Sequence, residues 1–233
     1  MEIKFVKWLM LQIIVDRRIK MKTIGNVFIL GDSISTFEGY IPEGNWCWYF
    51  KSPQNDTDVC DVNETWWKLL LEATDSNMVL NCSFSGSTLC HTGYDGSDWS
   101  EYISFSARLL NLIKEDFFAK NKIDTFFIFG GTNDSWANSP LGEIKYGPKS
   151  KEDLFNVLPA YCYIVEAVKE HCKNARIITI VNTDVKPEIA NCFDEVSKHY
   201  GTEIIKLRDI EKQNGHPNKT GMQQIFTQVL DNL

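Results

Sequence analysis

Apolar residues in this chain gather in short runs that do not alternate with polar ones. NVFIL (26–30), MVLNC (78–82), DTFFIFG (124–130), RIITIV (176–181) and EIIKL (203–207) are the clearest. Runs of this length without alternation predict strands covered on both faces, as in a parallel sheet. Between the runs the period lengthens. Met222, Ile225, Phe226, Val229, Leu230 and Leu233 recur at three- and four-residue steps, one stripe of a C-terminal helix. Leu154, Val157, Leu158, Tyr161, Val165 and Val168 form a second stripe, in which Pro159 marks a start or a kink. ETWWKLLLE (64–72) reads as a further helix. Strands alternating with helices imply right-handed crossovers and an α/β fold with helices on both faces of the sheet. Ligand sites of such open sheets lie outside the carboxyl ends of the strands.

The residues at those ends are therefore the ones to read. The first run is followed by GDS, the second by SFSGST and the third by GTND, all small, polar and glycine-bearing. In FILGDSISTFEG (28–39) the apolar run stops at Gly31 and presents Asp32 and Ser33. Either a helix cap or a serine nucleophile at the rim of the sheet fits that pattern. The connection from Thr36 to Asn63 is long and aromatic, and loops of this length are usually functional or hold further elements. Trp46, Trp48 and Tyr49 within it either line a cleft beside Ser33 or close the loop on itself.

Composition narrows the choices. With 233 residues, 43% hydrophobic and 24% charged, the chain suits one α/β domain, and no internal repeat or Pro/Gly-rich linker divides it. We expect residues 22–233 to form that domain. A net charge of −7 and the lack of a basic run argue against nucleic acid as a partner. The seven cysteines include no CxxC pair, which speaks against a zinc ribbon or a complete disulfide framework and for small buried residues. GDSIST lacks the P-loop lysine and no His/Asp/Cys spacing suggests a metal, so no cofactor is expected. Residues 1–21 read as an N-terminal extension. It is either an amphipathic helix packed on the domain or a stretch upstream of a start at Met21. Its apolar stretch is too short for a transmembrane segment and lacks a small-residue cleavage site. The expectation is a cytoplasmic protein, with export by an atypical signal as the alternative.

A serine hydroxyl needs a base, and its tetrahedral intermediate needs donors. Of four histidines, His171 and His199 fall near helix ends, where they suit the helix dipole. His91, in LCHTGYDG, is a weaker candidate. His216 lies in QNGHPNKTGM, just before the last helix, with Pro217 suited to the helix start.

Gly31-Asp32-Ser33, the NCSFSG segment ending in Gly86, Gly131-Thr132-Asn133-Asp134 and the closing His216 come in one order. Together they resemble the motif blocks of the SGNH hydrolase superfamily, the GDSL-type esterases and lipases. The resemblance implies a three-layer α/β/α, flavodoxin-like fold with a sheet of about five parallel strands. It implies Ser33 as nucleophile and His216 as general base and acid. The backbone N–H groups of Ser33 and Gly86 and the side-chain amide of Asn133 would form an oxyanion hole. Asp32 and Asp134 read as structural, bonding local turn N–H groups. One position departs: Gln213 stands where the family carries the Asp that orients the histidine. A carbonyl, of the backbone or of Gln213, supporting a Ser-His dyad is one replacement, and Asp209 or Glu211 swinging into place is another. The function expected is a carboxylic-ester hydrolase acting on a small-molecule or carbohydrate ester, such as a sugar O-acetyl group. A carbohydrate- or lipid-binding descendant, motivated by Gln213, and an acyltransferase on the same scaffold are the alternatives.

Overall fold

Strands β1 (Asn26–Gly31), β2 (Asn77–Ser83), β3 (Thr125–Phe129), β4 (Arg176–Val181) and β5 (Glu203–Lys206) pair in the order β2-β1-β3-β4-β5. Every pairing is parallel. This is the flavodoxin-like order, as expected, and it puts the topological switch point beside β1, between the crossovers to β2 and to β3. The protein is described here from a computed structural model covering residues 23–52 and 54–233. The N-terminal extension, 1–21, lies outside the described residues.

Successive side chains of each strand serve opposite faces. Phe28, Leu30, Phe126 and Ile128 enter one apolar cluster. Val27, Ile29, Phe127, Phe129, Ile178 and Ile180 enter the other. Helices α1 (Trp66–Ala73) and, at the C-terminus, α7 (Lys219–Asp231) cover the second face. Helices α2 (Phe105–Lys114), α5 (Val157–His171) and α6 (Pro187–Tyr200) cover the first. Two shorter helices, α3 (Phe117–Lys120) and α4 (Thr132–Ala137), follow α2 and β3. Fully burying a side chain such as Phe28 or Ile29 contributes about 1.5–3 kcal/mol, so strands covered on both faces add cohesion along their whole length.

Three helices start at a side-chain acceptor: Thr65 for α1, Ser104 for α2 and Asn218 for α7. Thr65 caps α1, after a 3₁₀ turn at Val62–Glu64 that Asp61 and Glu64 close as a capping box. Pro159 lies in the first turn of α5, so it begins that helix and does not kink it. Asn218, whose side chain accepts from the Gly221 N–H at 2.9 Å, caps α7. Pro217 thus falls one residue before the cap, in a short strand, and not at the first helical position. A β-carbon on Gly221 would meet the Glu211 carbonyl at 2.1 Å, so this glycine fixes how close α7 sits to the preceding loop. Among the described residues, no helix is long and apolar enough to cross a membrane.

Candidate active site

The chain leaves β1 into a 3₁₀ turn at Ser33–Ser35, and backbone bonds fix that turn from several sides. Asp32 Oδ1 accepts from the Ile34 N–H at 3.0 Å. Thr36 closes on the Ser33 carbonyl through both its N–H (3.2 Å) and its hydroxyl (2.8 Å). From β2, the Asn81 amide donates to the Ser35 carbonyl at 2.8 Å. A side chain at Gly31 would collide with Ser83 Oγ, 2.4 Å away, so only glycine lets β1 end this close to β2. Beneath the strand ends lies a buried cation. Arg108, on α2, donates to the carbonyls of Gly31 and Ile103 and to Ser87 Oγ, each at 3.0 Å, and also to the Cys82 carbonyl.

His216 arrives from the far end of the chain on a small hairpin, β6 (Lys212–Gln213) and β7 (His216–Pro217). Its two-residue turn, Asn214-Gly215, has positive φ at both positions (50° and 75°), the type I′ geometry that Asn-Gly favours. That turn aims the Asn214 carbonyl at His216 Nδ1, 3.1 Å away, while Nε2 lies 2.8 Å from Ser33 Oγ. Because a carbonyl only accepts, Nδ1 carries the proton and the Nε2 lone pair faces the serine hydroxyl. Burial holds His216 below the ordinary histidine value, opposed by the Asn214 carbonyl.

Two of the expected oxyanion donors lie on neighbouring strand ends. Gly86 follows β2 with φ of 84° and open space where a side chain would project. Asn133 sits in the first turn of α4. Its amide nitrogen donates to the Ser87 carbonyl at 3.0 Å, and its oxygen accepts from the Tyr94 hydroxyl at 2.8 Å. These two bonds fix which way the amide points, and its second N–H has no partner among the described residues.

The buried acids are pinned too. Asp134 accepts from the amides of Leu89 (2.9 Å) and Cys90 (3.4 Å), and burial pushes its carboxyl up to about 6. These partners lie 45 and 44 residues away, so Asp134 ties the β2 loop to α4 and is not a local turn acceptor. Asp32 is pushed up to about 7 by burial, and its second oxygen has no partner among the described residues.

Several expectations about supporting residues change. Gln213 is exposed, opposite His216 in the hairpin, and the backbone of Asn214, not the Gln213 side chain, meets Nδ1. Asp209 is exposed with φ of 52°, and Glu211 is turned to the Asn218 amide at 2.5 Å. Neither is the partner of Nδ1. Tyr49 does not line a cleft: it is fully buried, and its hydroxyl donates to the Pro217 carbonyl at 2.8 Å. Trp48 stacks on the His216 ring, with centroids 3.6 Å apart and planes 13° from parallel. Trp46 is exposed, packed on Phe84. His91 is buried edge-on to Phe155, and its ring nitrogens have no partner among the described residues.

Tyr94, Arg108 and Trp136 escaped the sequence reading. Trp136, on α4, is 41% exposed and meets His216 edge-on at 6.1 Å. Its spacing of three from Asn133 was the available signal, once 132–137 is read as a helix. Tyr94 and Arg108 had none, since only the folded chain brings them to Asn133 and the strand ends.

A family model for GDSL-like lipases/acylhydrolases matches residues 25–233. A solved structure of a protein described as a GDSL-like lipase from Bacteroides uniformis ATCC 8492 superposes with a TM-score of 0.83 at 42% identity. The match covers 90% of this chain and 95% of that one. A similarly described protein from Bacteroides ovatus ATCC 8483 gives 0.82 at 40% identity, over 89% and 97% of the two chains. A family two carbohydrate esterase from Clostridium thermocellum, solved in complex with cellohexaose, shares the fold at a TM-score of 0.61. There the identity is 16%, over 91% of this chain and 64% of that one. Among curated proteins, none matches significantly.

Proposed function

Since the chain belongs to the GDSL-like lipase/acylhydrolase family, we propose that it is a serine esterase whose Ser33 and His216 act as a dyad. The observation that carries this reading is the 2.8 Å contact between Ser33 Oγ and His216 Nε2, made by residues 183 positions apart. Held neutral by burial, His216 is ready to take a proton. Ser33 Oγ attacks the ester carbonyl and its proton passes to Nε2. The oxyanion is met by the N–H groups of Ser33 and Gly86 and by the free N–H of Asn133. Collapse expels the alcohol, which takes the Nε2 proton, and leaves Ser33 acylated. Water then attacks the acyl carbon, giving its proton to Nε2, and the acid leaves as Ser33 recovers that proton. The Asn214 carbonyl keeps Nδ1 protonated throughout, the part an aspartate plays in a triad.

The alcohol half of the substrate is read as a sugar, with an O-acyl group such as acetyl as the ester removed. Trp46 (59% exposed) and Trp136 (41% exposed) support this, as flat apolar faces with polar edges beside the strand ends that suit a pyranose ring.

The direct test is hydrolysis of p-nitrophenyl acetate and of acetylated oligosaccharides by wild type and Ser33→Ala, with fluorophosphonate labelling of Ser33. We expect labelling and a loss of at least about 10³-fold in Ser33→Ala. Equal rates for the two proteins, with no labelling, would return the chain to the binding-protein alternative. Activity rises as His216 loses its proton, so burial places the acid limb of kcat/KM below the ordinary histidine value.

A further inference from the structure

In a Ser-His-Asp triad a carboxylate beside Nδ1 stabilises the imidazolium that forms as the serine gives up its proton. Here Nδ1 meets a neutral carbonyl. Burial also works against the charged ring. The nearest charged groups offer little net help. Asp184, from the loop after β4, favours the imidazolium and Lys212, from β6, opposes it, and the two are paired with each other at 2.6 Å. Tyr49 and Trp136 face the ring edge-on without charge. The indole of Trp48 remains, lying flat on the imidazole. An aromatic face carries negative charge density, and its attraction for a cation strengthens where water is excluded.

We propose that Trp48 is a positioning residue for His216: its indole face fixes the plane of the ring and stabilises the imidazolium in place of the missing carboxylate. This rests on the dyad reading of the site. Trp48 is held for the task by backbone bonds to both sides of the site. Its N–H donates to Thr36 Oγ1 (2.9 Å), the hydroxyl that itself donates to the Ser33 carbonyl (2.8 Å). Its carbonyl accepts from the Asn55 amide at 2.9 Å. The next residue, Tyr49, binds the carbonyl of Pro217, immediately after the base. Two adjacent aromatics of the long loop thus hold His216-Pro217 by ring face and by hydroxyl. The Trp48 indole N–H is buried without a partner among the described residues, a cost that phenylalanine would avoid in a merely space-filling role.

The test is an NMR titration of the histidine rings in wild type, Trp48→Phe and Trp48→Leu, with kcat and KM on p-nitrophenyl acetate. Leucine keeps an apolar cover without a π face, and phenylalanine keeps a smaller one. The expected result is a His216 titration that moves to lower pH in the order wild type, Phe, Leu, while His91, His171 and His199 stay in place. Alongside it, kcat falls about 10- to 30-fold in Trp48→Leu, with partial rescue in Trp48→Phe and little change in KM. An unmoved His216 titration in Trp48→Leu overturns the proposal, as does a raised KM with unchanged kcat, which would make Trp48 a substrate platform. Should Trp48→Leu not fold, the Trp48→Phe titration against wild type decides by the same criterion. The titration needs no substrate, so it is separable from the dyad reading, which fails on its own if wild-type Ser33 is not labelled by a fluorophosphonate.

Discussion

Ser33 and His216 come to the same hydrogen bond from two regions held in different ways. On the nucleophile side, three adjacent strand ends and a 3₁₀ turn are tied by backbone amides and buried polar side chains: Asp32, Asn81, Arg108 and Asp134. On the base side, a two-residue hairpin turn carries the histidine, and aromatic residues from a loop more than 150 positions away hold it. The first region is anchored by the sheet. The second is a small excursion from the sheet, kept in place by stacking, by one tyrosine hydroxyl and by the Lys212–Asp184 ion pair. Rigidity inherited from the sheet suits donors that must be preorganised. On the proposed mechanism, the His216 ring changes charge in each half-reaction, and a polarisable face would serve it.

That contrast can be tested from either side. The largest effect should come from the preorganised donors: Asn133→Ala is expected to lower kcat by about 10²–10³-fold with little change in KM. A kcat within about threefold of wild type would remove Asn133 from the oxyanion hole. Next comes the cost that the nucleophile side carries for its buried acid. Asp32 titrates higher folded (about 7) than its ordinary 3.8, so the folded state holds that proton more tightly. Its contribution to stability is full below the unfolded value and is lost as pH rises through about 7. Asp32→Asn should therefore flatten the fall in stability between pH 4 and 8, by up to about 4 kcal/mol at the upper end. An unchanged slope would mean that Asp32 is ionised in the folded protein at neutral pH.

The smallest effects separate the two sides most sharply, through a pair of hydroxyl deletions. Tyr94→Phe removes the bond that orients the Asn133 amide. It should cost about 1 kcal/mol of barrier, about fivefold in kcat, and leave Tm nearly unchanged because Tyr94 is half-buried. Tyr49→Phe frees the Pro217 carbonyl in a buried place and should lower global stability by about 1–2 kcal/mol. Interchanged outcomes, with Tyr94→Phe costing stability and Tyr49→Phe costing only rate, would undo the division drawn here.

The two regions also differ in how much of them can be read from the chain. Five non-alternating apolar runs predict five parallel strands, and the strands form within one or two residues of those runs. Glycine turns at their ends point to Ser33, Gly86 and Asn133, since a sheet's carboxyl edge is where such turns come together. His216 is also visible, as a histidine in a loop just before the last helix. These features are local: burial on both faces and positive φ at glycine leave their mark within a few residues of sequence. The Asn-Gly pair at 214–215 carried the hairpin in the same local way, though a missing aspartate draws the eye first to Gln213, Asp209 and Glu211. What meets Nδ1 depends on where a turn aims a backbone carbonyl, and every residue has one, so residue identity gives no sign of it. The stacking of Trp48 on His216, the Tyr49 anchor, the buried Arg108 under the strand ends and the Tyr94 bond to Asn133 all join distant parts of the chain. Side-chain type and spacing say nothing about such meetings, because they are set by how helices and loops pack once the sheet has formed. The sequence by itself determined the sheet, its order of polar turns and the two residues, Ser33 and His216, proposed as the reacting pair. Only the tertiary structure decided which groups hold and charge the histidine, because those contacts exist between surfaces and not along the chain.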